Sequence, residues 1–142
     1  MQKFDPVVWG PHYWFFITTL AMSYPDHPNA VTKRKYYDFI TNLPIFIPDP
    51  EIGNRFSDLL DKYPVSPYLV NRDSFIKWTH FIHNKVNVIL GKEEISLHAA
   101  LENYFAEYLP KPIILSEKLK WKKYTLVSVF ILICLVLIYL YQ

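Results

Sequence analysis

Apolar positions recur at helical spacing through most of the chain. In the run PHYWFFITTLAMSY, Trp14, Ile17, Leu20, Ala21 and Tyr24 fall three or four residues apart. This predicts a first helix opening at Gly10–Pro11, with proline in its first turn, and stopped by Pro25 and Pro28. A second helix is expected from Thr32, as N-cap, to Leu43. Pro44, Pro48 and Pro50 make the next stretch a rigid connector. Asp49-Pro50-Glu51 is a start signal for a third helix: a capping carboxylate, proline at the first position, then acid in the first turn. That helix carries Ile52, Phe56, Leu59 and Leu60 on one side and ends before Pro64. Asp73 or Ser74 caps a long fourth helix reaching Leu90, with Gly91 in the usual position after a helix end. Ser96 opens a short fifth helix to Tyr108. No repeat or strand pattern competes, so the expected fold is all-α, a four- to five-helix bundle.

Residues 124–142, YTLVSVFILICLVLIYLYQ, break this pattern because they are apolar all round and uncharged. The run is just long enough to cross a bilayer as a helix. Trp121 and Tyr124 suit one interface, and Tyr139 and Tyr141 the other. Lys118, Lys120, Lys122 and Lys123 stand immediately before it, which places the preceding domain on the cytosolic side. The expected organisation is a helical domain over 1–110, a basic juxtamembrane linker over 111–123 and a single-pass transmembrane tail anchor over 124–142.

Charge follows from that division. The chain has 15 Lys+Arg and 13 Asp+Glu, a formal net charge of +2. Five lysines and one glutamate fall in 111–142, leaving ten basic and twelve acidic residues before it. The basic excess therefore belongs to the membrane-proximal segment, and no nucleic-acid surface is implied. At 142 residues with 51% hydrophobic and 18% aromatic content, one compact domain is expected. The one cysteine, Cys134, lies inside the apolar run. It excludes an intrachain disulfide, a CxxC centre and any multi-cysteine metal site. His12, His80, His83 and His98 match no common ligand spacing, so no metal is expected. Neither a P-loop nor a dinucleotide GxGxxG is present.

The fourth helix carries the candidate chemistry. His83, Asn84 and Asn87 share one face at three- and four-residue spacing. These are poor residues for a helix interior, so their company needs a reason. A solvated face or a buried hydrogen-bond cluster is one. A polar ligand with a flat ring, stacked among Trp and His, is the other.

Two separated motifs resemble those of the Erv/ALR family of FAD-linked sulfhydryl oxidases. The first, W-G-x-x-x-W, is Trp9-Gly10-Pro11-His12-Tyr13-Trp14, followed by the helix-ending Tyr24-Pro25. The second, H-N-x-V-N-x-x-L-G-K, runs unbroken from His83 to Lys92, and Trp78 falls where members place an aromatic. The similarity spans about residues 5–108 and looks closest to short members encoded by large cytoplasmic DNA viruses. The resemblance implies a helical bundle enclosing FAD, usually dimeric. It also implies that Trp9, Gly10 and Trp14 help to enclose the flavin. His83, Asn84, Val86 and Asn87 would contact its isoalloxazine and adenine parts, Leu90 completes the motif, and Lys92 lies near phosphate. Thr18 stands where many members have a histidine contact, and its hydroxyl can still hydrogen-bond.

One departure bears on activity. The family uses a Pro-Cys-x-x-Cys unit at the start of its third helix, where the helix end lowers a thiol pKa. The matching string here is Pro48-Asp49-Pro50-Glu51-Ile52, with Asp49 and Ile52 at the cysteine positions. No catalytic residue is therefore identifiable. Three readings remain open. The chain is a membrane flavoprotein without the dithiol step, acting as a structural or regulatory homologue, as a homodimer or beside a partner thiol oxidoreductase. It oxidises external dithiols directly on the flavin. Or it is a flavin-free membrane scaffold, for example in a virion inner membrane.

Overall fold

The computed structural model describes residues 4–110 and 112–141, the stretch 112–118 by its backbone only. Lys111, Gln142 and the side chain of Lys118 thus lie outside the described residues. The order is α1 (Pro6–Ser23), α2 (Ala30–Asn42), a 3₁₀ turn (Leu43–Phe46), α3 (Pro50–Lys62), a second 3₁₀ turn (Ser66–Tyr68), α4 (Arg72–Ile89), α5 (Leu97–Ala106) and α6 (Pro112–Tyr141). No strand occurs among the described residues, as the sequence pattern predicts. The chain divides into two compact units, one ending at Tyr104 and one beginning at Phe105.

Helix starts differ from expectation in three places. α1 opens at Pro6, not at Gly10–Pro11: Asp5 Oδ1 accepts from Val7 N at 2.9 Å, and Pro6 occupies the first position. Asp5-Pro6 is the same start signal as Asp49-Pro50. Pro11 then lies inside the helix and leaves the Val7 carbonyl without its helical donor. Val7 is exposed, so water can serve that carbonyl. Gly10, lacking a Cβ, relieves the clash that proline imposes on the residue before it. For α2 the cap is Asn29, which accepts from Thr32 N at 2.8 Å, so Thr32 is a first-turn residue. For α4 it is Asn71, accepting from Ser74 N at 2.8 Å, rather than Asp73 or Ser74.

Elsewhere the expected punctuation holds. Asp49 Oδ1 accepts from Glu51 N at 3.0 Å and Ile52 N at 3.2 Å at the head of α3. Ser96 Oγ accepts from Ala99 N at 3.1 Å and starts α5, which ends at Ala106 and not Tyr108. α4 ends in a double-bonded cap: Gly91 N donates to Val88 O at 3.0 Å and Lys92 N to Asn87 O at 2.8 Å. That geometry needs Gly91 at φ +70°, a region L side chains enter only with strain.

The core of the first unit lies where α1 packs on α4, with α2 and α3 closing it. Ile17, Ala21, Tyr24, Ile40, Phe56, Leu60, Phe75, Trp78 and Ile82 are buried together. The polar ends of its Tyr24 and Trp78 are satisfied: Tyr24 OH donates to Leu69 O at 2.9 Å and Trp78 Nε1 to Tyr63 O at 3.0 Å. Of the aromatic pair on α2, Tyr36 packs edge-on against Tyr24 and Phe75, whereas Tyr37 is exposed. On α1, Phe15 rests beside Tyr104 and Phe16 packs edge-on against Phe39. α3 and the preceding 3₁₀ turn meet closely at Gly53, where an added Cβ would stand 2.8 Å from the Pro44 carbonyl oxygen. In the second unit, α6 is one unbroken helix whose Leu119–Tyr141 portion is long and apolar enough to cross a membrane.

Candidate functional site

α1, α3 and the end of α4 enclose a largely apolar cavity of about 310 Å³. α1 contributes Trp9, Gly10, Tyr13, Trp14 and Ile17 to its wall. The head of α3 contributes Asp49, Glu51, Ile52, Arg55 and Phe56, and α4 contributes Val86, Ile89 and Leu90. The spacing explains the convergence. Trp9, Tyr13, Trp14 and Ile17 form one stripe of α1, and Ile52, Phe56 and Leu59 one stripe of α3. Tyr13 also ties the wall to the turn before α3, its hydroxyl donating to Phe46 O at 2.8 Å.

Of the residues singled out in the sequence, Trp9, Gly10, Trp14, Val86 and Leu90 meet at this cavity. Asp49 and Ile52, at the cysteine positions of the related motif, stand in the same wall. His83 lies one layer behind and stacks on Trp14, ring centroids 4.1 Å apart and planes 12° apart. Trp14 also meets Phe56, ring centroids 6.2 Å apart and planes nearly perpendicular at 82°.

The other four fall outside the wall. Asn84 clamps the segment after α4: its Nδ2 donates to Ile95 O at 2.9 Å and its Oδ1 accepts from Ile95 N at 3.2 Å. Asn87 receives the Lys92 amide at its carbonyl, so the Leu90-Gly91-Lys92 end of the motif is also the cap of α4. Lys92 is exposed, and Thr18 is half-buried on α1. Trp78 is a core residue rather than a wall residue, stacked near Phe75 at 6.1 Å.

Sequence reasoning missed Tyr13, Ile17, Arg55 and Phe56 as wall residues. Tyr13 sits between the two tryptophans of the first motif, which is a signal. Arg55 has only its place one turn after Glu51, with which it pairs at 2.7 Å on a solvated surface.

Electrostatics set the state of the two histidines on α4. Burial lowers the His83 pKa to about 4, helped by the neighbouring His80 and Lys92 charges. Burial also lowers that of His80, against the Ile95 backbone and Glu94. The imidazole on Trp14 is therefore neutral at pH 7. Two flat indoles and Phe56, with Arg55 as the cation at the wall and the neutral imidazole backing Trp14, suit a planar, mostly apolar ring system. The cavity is at the small end of ligand sites, the size of a ring system rather than of a whole dinucleotide.

The Erv1/Alr family model matches residues 11–106. The chain belongs to that family. It is 32% identical over 108 residues to a probable FAD-linked sulfhydryl oxidase of Acanthamoeba polyphaga mimivirus, covering 75% of this chain and 76% of the viral one. An FAD-linked sulfhydryl oxidase of African swine fever virus is 32% identical over 88 residues, 62% of this chain and 72% of that one. The yeast FAD-linked sulfhydryl oxidase ERV2 is 33% identical over 95 residues, covering 67% of this chain but 47% of the yeast protein. In fold, this Erv1/Alr member is similar to the FAD-binding domain of Erv1 from Saccharomyces cerevisiae. The TM-score is 0.63 at 23% identity, over 67% of this chain and 89% of that one.

Proposed function

We propose that this Erv1/Alr member is a membrane-anchored FAD-binding protein that has lost the family's own dithiol step. One observation carries the reading. The motif residues Trp9, Gly10, Trp14, Val86 and Leu90 line one cavity, and Asp49 and Ile52 stand in its wall where thiols are expected. A flavin, when bound, supplies a two-electron acceptor able to pass electrons to O₂. The chain's own part is binding and orientation. Trp9, Trp14 and Phe56 offer the flat surfaces, and His83 fixes the Trp14 plane from behind. Asn87 and Lys92, at the capped end of α4, lie outside the cavity wall, where they can meet the nucleotide arm. Asn84 acts by holding the Ile95 segment beside them.

Asp49 uses its carboxylate to cap α3, and that carboxylate is no reductant. The relay of the sulfhydryl oxidases therefore has no first member here, and the role is structural or regulatory, beside a thiol oxidoreductase or a second copy. The exposed Phe16 on an α1 that is apolar all round supports self-association through this helix. Leu119–Tyr141 anchors the chain, and the lysines before it keep the helical unit on the cytosolic side.

The test is oxygen uptake by flavin-loaded full-length protein with dithiothreitol. No uptake above free FAD is expected. Sustained uptake would assign external dithiol oxidation instead, and a chain that retains no flavin would leave only the scaffold role. Trp14→Ala and His83→Ala should each lower flavin retention.

A further inference from the structure

The cavity wall is uncharged but for three side chains, all from the head of α3: Asp49, Glu51 and Arg55. Glu51 and Arg55 stand one turn apart and pair at 2.7 Å, so their charges largely cancel. Asp49 is left over. It makes no ion pair among the described residues, and its cap uses Oδ1 alone, which accepts from both Glu51 N and Ile52 N. Oδ2 has no hydrogen-bond partner among the described residues. The side chain is half-buried and fixed by the two amides, so its negative charge is held at the wall. The positive end of α3 offsets part of that charge, not the whole.

A charge fixed beside an apolar cavity acts on whatever fills it, because the occupant displaces the water that would screen the interaction. For an isoalloxazine ring the consequence depends on redox state. The oxidised ring is neutral. Reduced by two electrons at mildly alkaline pH, it takes up one proton and carries one negative charge. A carboxylate in the wall repels only the second form.

We infer that Asp49 makes the cavity select oxidised over reduced flavin. This rests on the reading of the cavity as a flavin site. A carboxylate in place of a thiol thus does two things: it removes a reductant, and it disfavours the reduced ring.

The experiment takes FAD-loaded full-length protein in detergent and titrates it anaerobically with dithionite beside a reference dye at mildly alkaline pH. The two visible spectra give the flavin midpoint. Asp49→Asn keeps the cap and removes the charge. It should bind reduced FAD about tenfold more tightly relative to oxidised FAD, a rise of about 30 mV for this two-electron couple. Asp49→Ala loses cap and charge together and should show the same rise. Arg55→Gln leaves Glu51 uncompensated and should lower the midpoint. The Asp49→Asn difference should shrink at mildly acidic pH, where the reduced ring is neutral. An unchanged midpoint in Asp49→Asn overturns the assignment. So does a rise confined to Asp49→Ala, which would trace the effect to the cap, and so does a rise in Arg55→Gln. A chain that retains no FAD overturns the flavin reading itself, and this selectivity with it.

Discussion

Acidification should loosen the contact between α1 and α4, and His83 is the group that senses it. Its imidazole lies flat on Trp14, 4.1 Å between centroids, with His80 and Lys92 as the nearby cationic groups and Asn84 on the same face. Burial is the largest cause of a pKa lowered to about 4, with His80 and Lys92 adding to it. An unfolded-chain histidine titrates near 6.5, so the folded state resists protonation and the unfolded state accepts it. The sign follows. The contribution is complete above about pH 6.5, falls as pH drops towards about 4, and changes no further below that. The full shift corresponds to at most about 3 kcal/mol, and residual solvent contact brings the expected loss to roughly 1–3 kcal/mol. Urea unfolding of the full chain in detergent, followed by helical circular dichroism between about pH 7 and pH 4, measures it. His83→Gln cannot titrate and should show a flatter profile, the carboxylates being common to both proteins. Parallel profiles would refute the reasoning, and so would an imidazole resonance titrating near the ordinary histidine value.

Three substitutions test the packing around the site. Gly53→Ala places a Cβ 2.8 Å from the Pro44 carbonyl oxygen, a backbone atom that must move. It should lower stability by about 1–3 kcal/mol despite alanine's better helix propensity, read as a lowered Tm. Asp49→Ala uncaps two amides at the head of α3 and should cost about 1 kcal/mol, with most of that restored in Asp49→Asn. Thr79 is 4% exposed, and its hydroxyl finds no partner among the described residues. Thr79→Val should therefore be neutral or stabilising by up to about 1 kcal/mol in the same unfolding assay.

The elements that were legible in the sequence carried their signals within a few neighbouring residues. Asp49-Pro50-Glu51 announces α3, and Gly91 the end of α4, because caps are local chemistry. The same local signal at Asp5-Pro6 was masked by Pro11, which reads as a helix start but is tolerated in the second turn, where water reaches the freed carbonyl. Asn29 and Asn71 lie upstream of first turns that begin with polar or isolated apolar residues, so the hydrophobic periodicity starts after the true cap. The cavity is different in kind. Trp9 and Trp14 were found through a motif, but their meeting with Arg55, Phe56 and Ile47 depends on the packing of α1 against α3. No spacing within one segment encodes that. The motif on α4 divides likewise. Val86 and Leu90 reach the cavity, whereas Asn84 and Asn87 are engaged in holding the end of the helix and the segment that follows.

The central claim is that the cavity beneath Trp14 holds a flavin although its wall carries no thiol. Full-length protein, purified in detergent after incubation with excess FAD and stripped of free cofactor by gel filtration, tests this by its visible spectrum and FAD-to-chain ratio. The account predicts a yellow protein with close to one FAD per chain, and clear loss of that flavin in Trp14→Ala. A colourless protein that folds normally, with a helical spectrum and a cooperative unfolding transition, would contradict it.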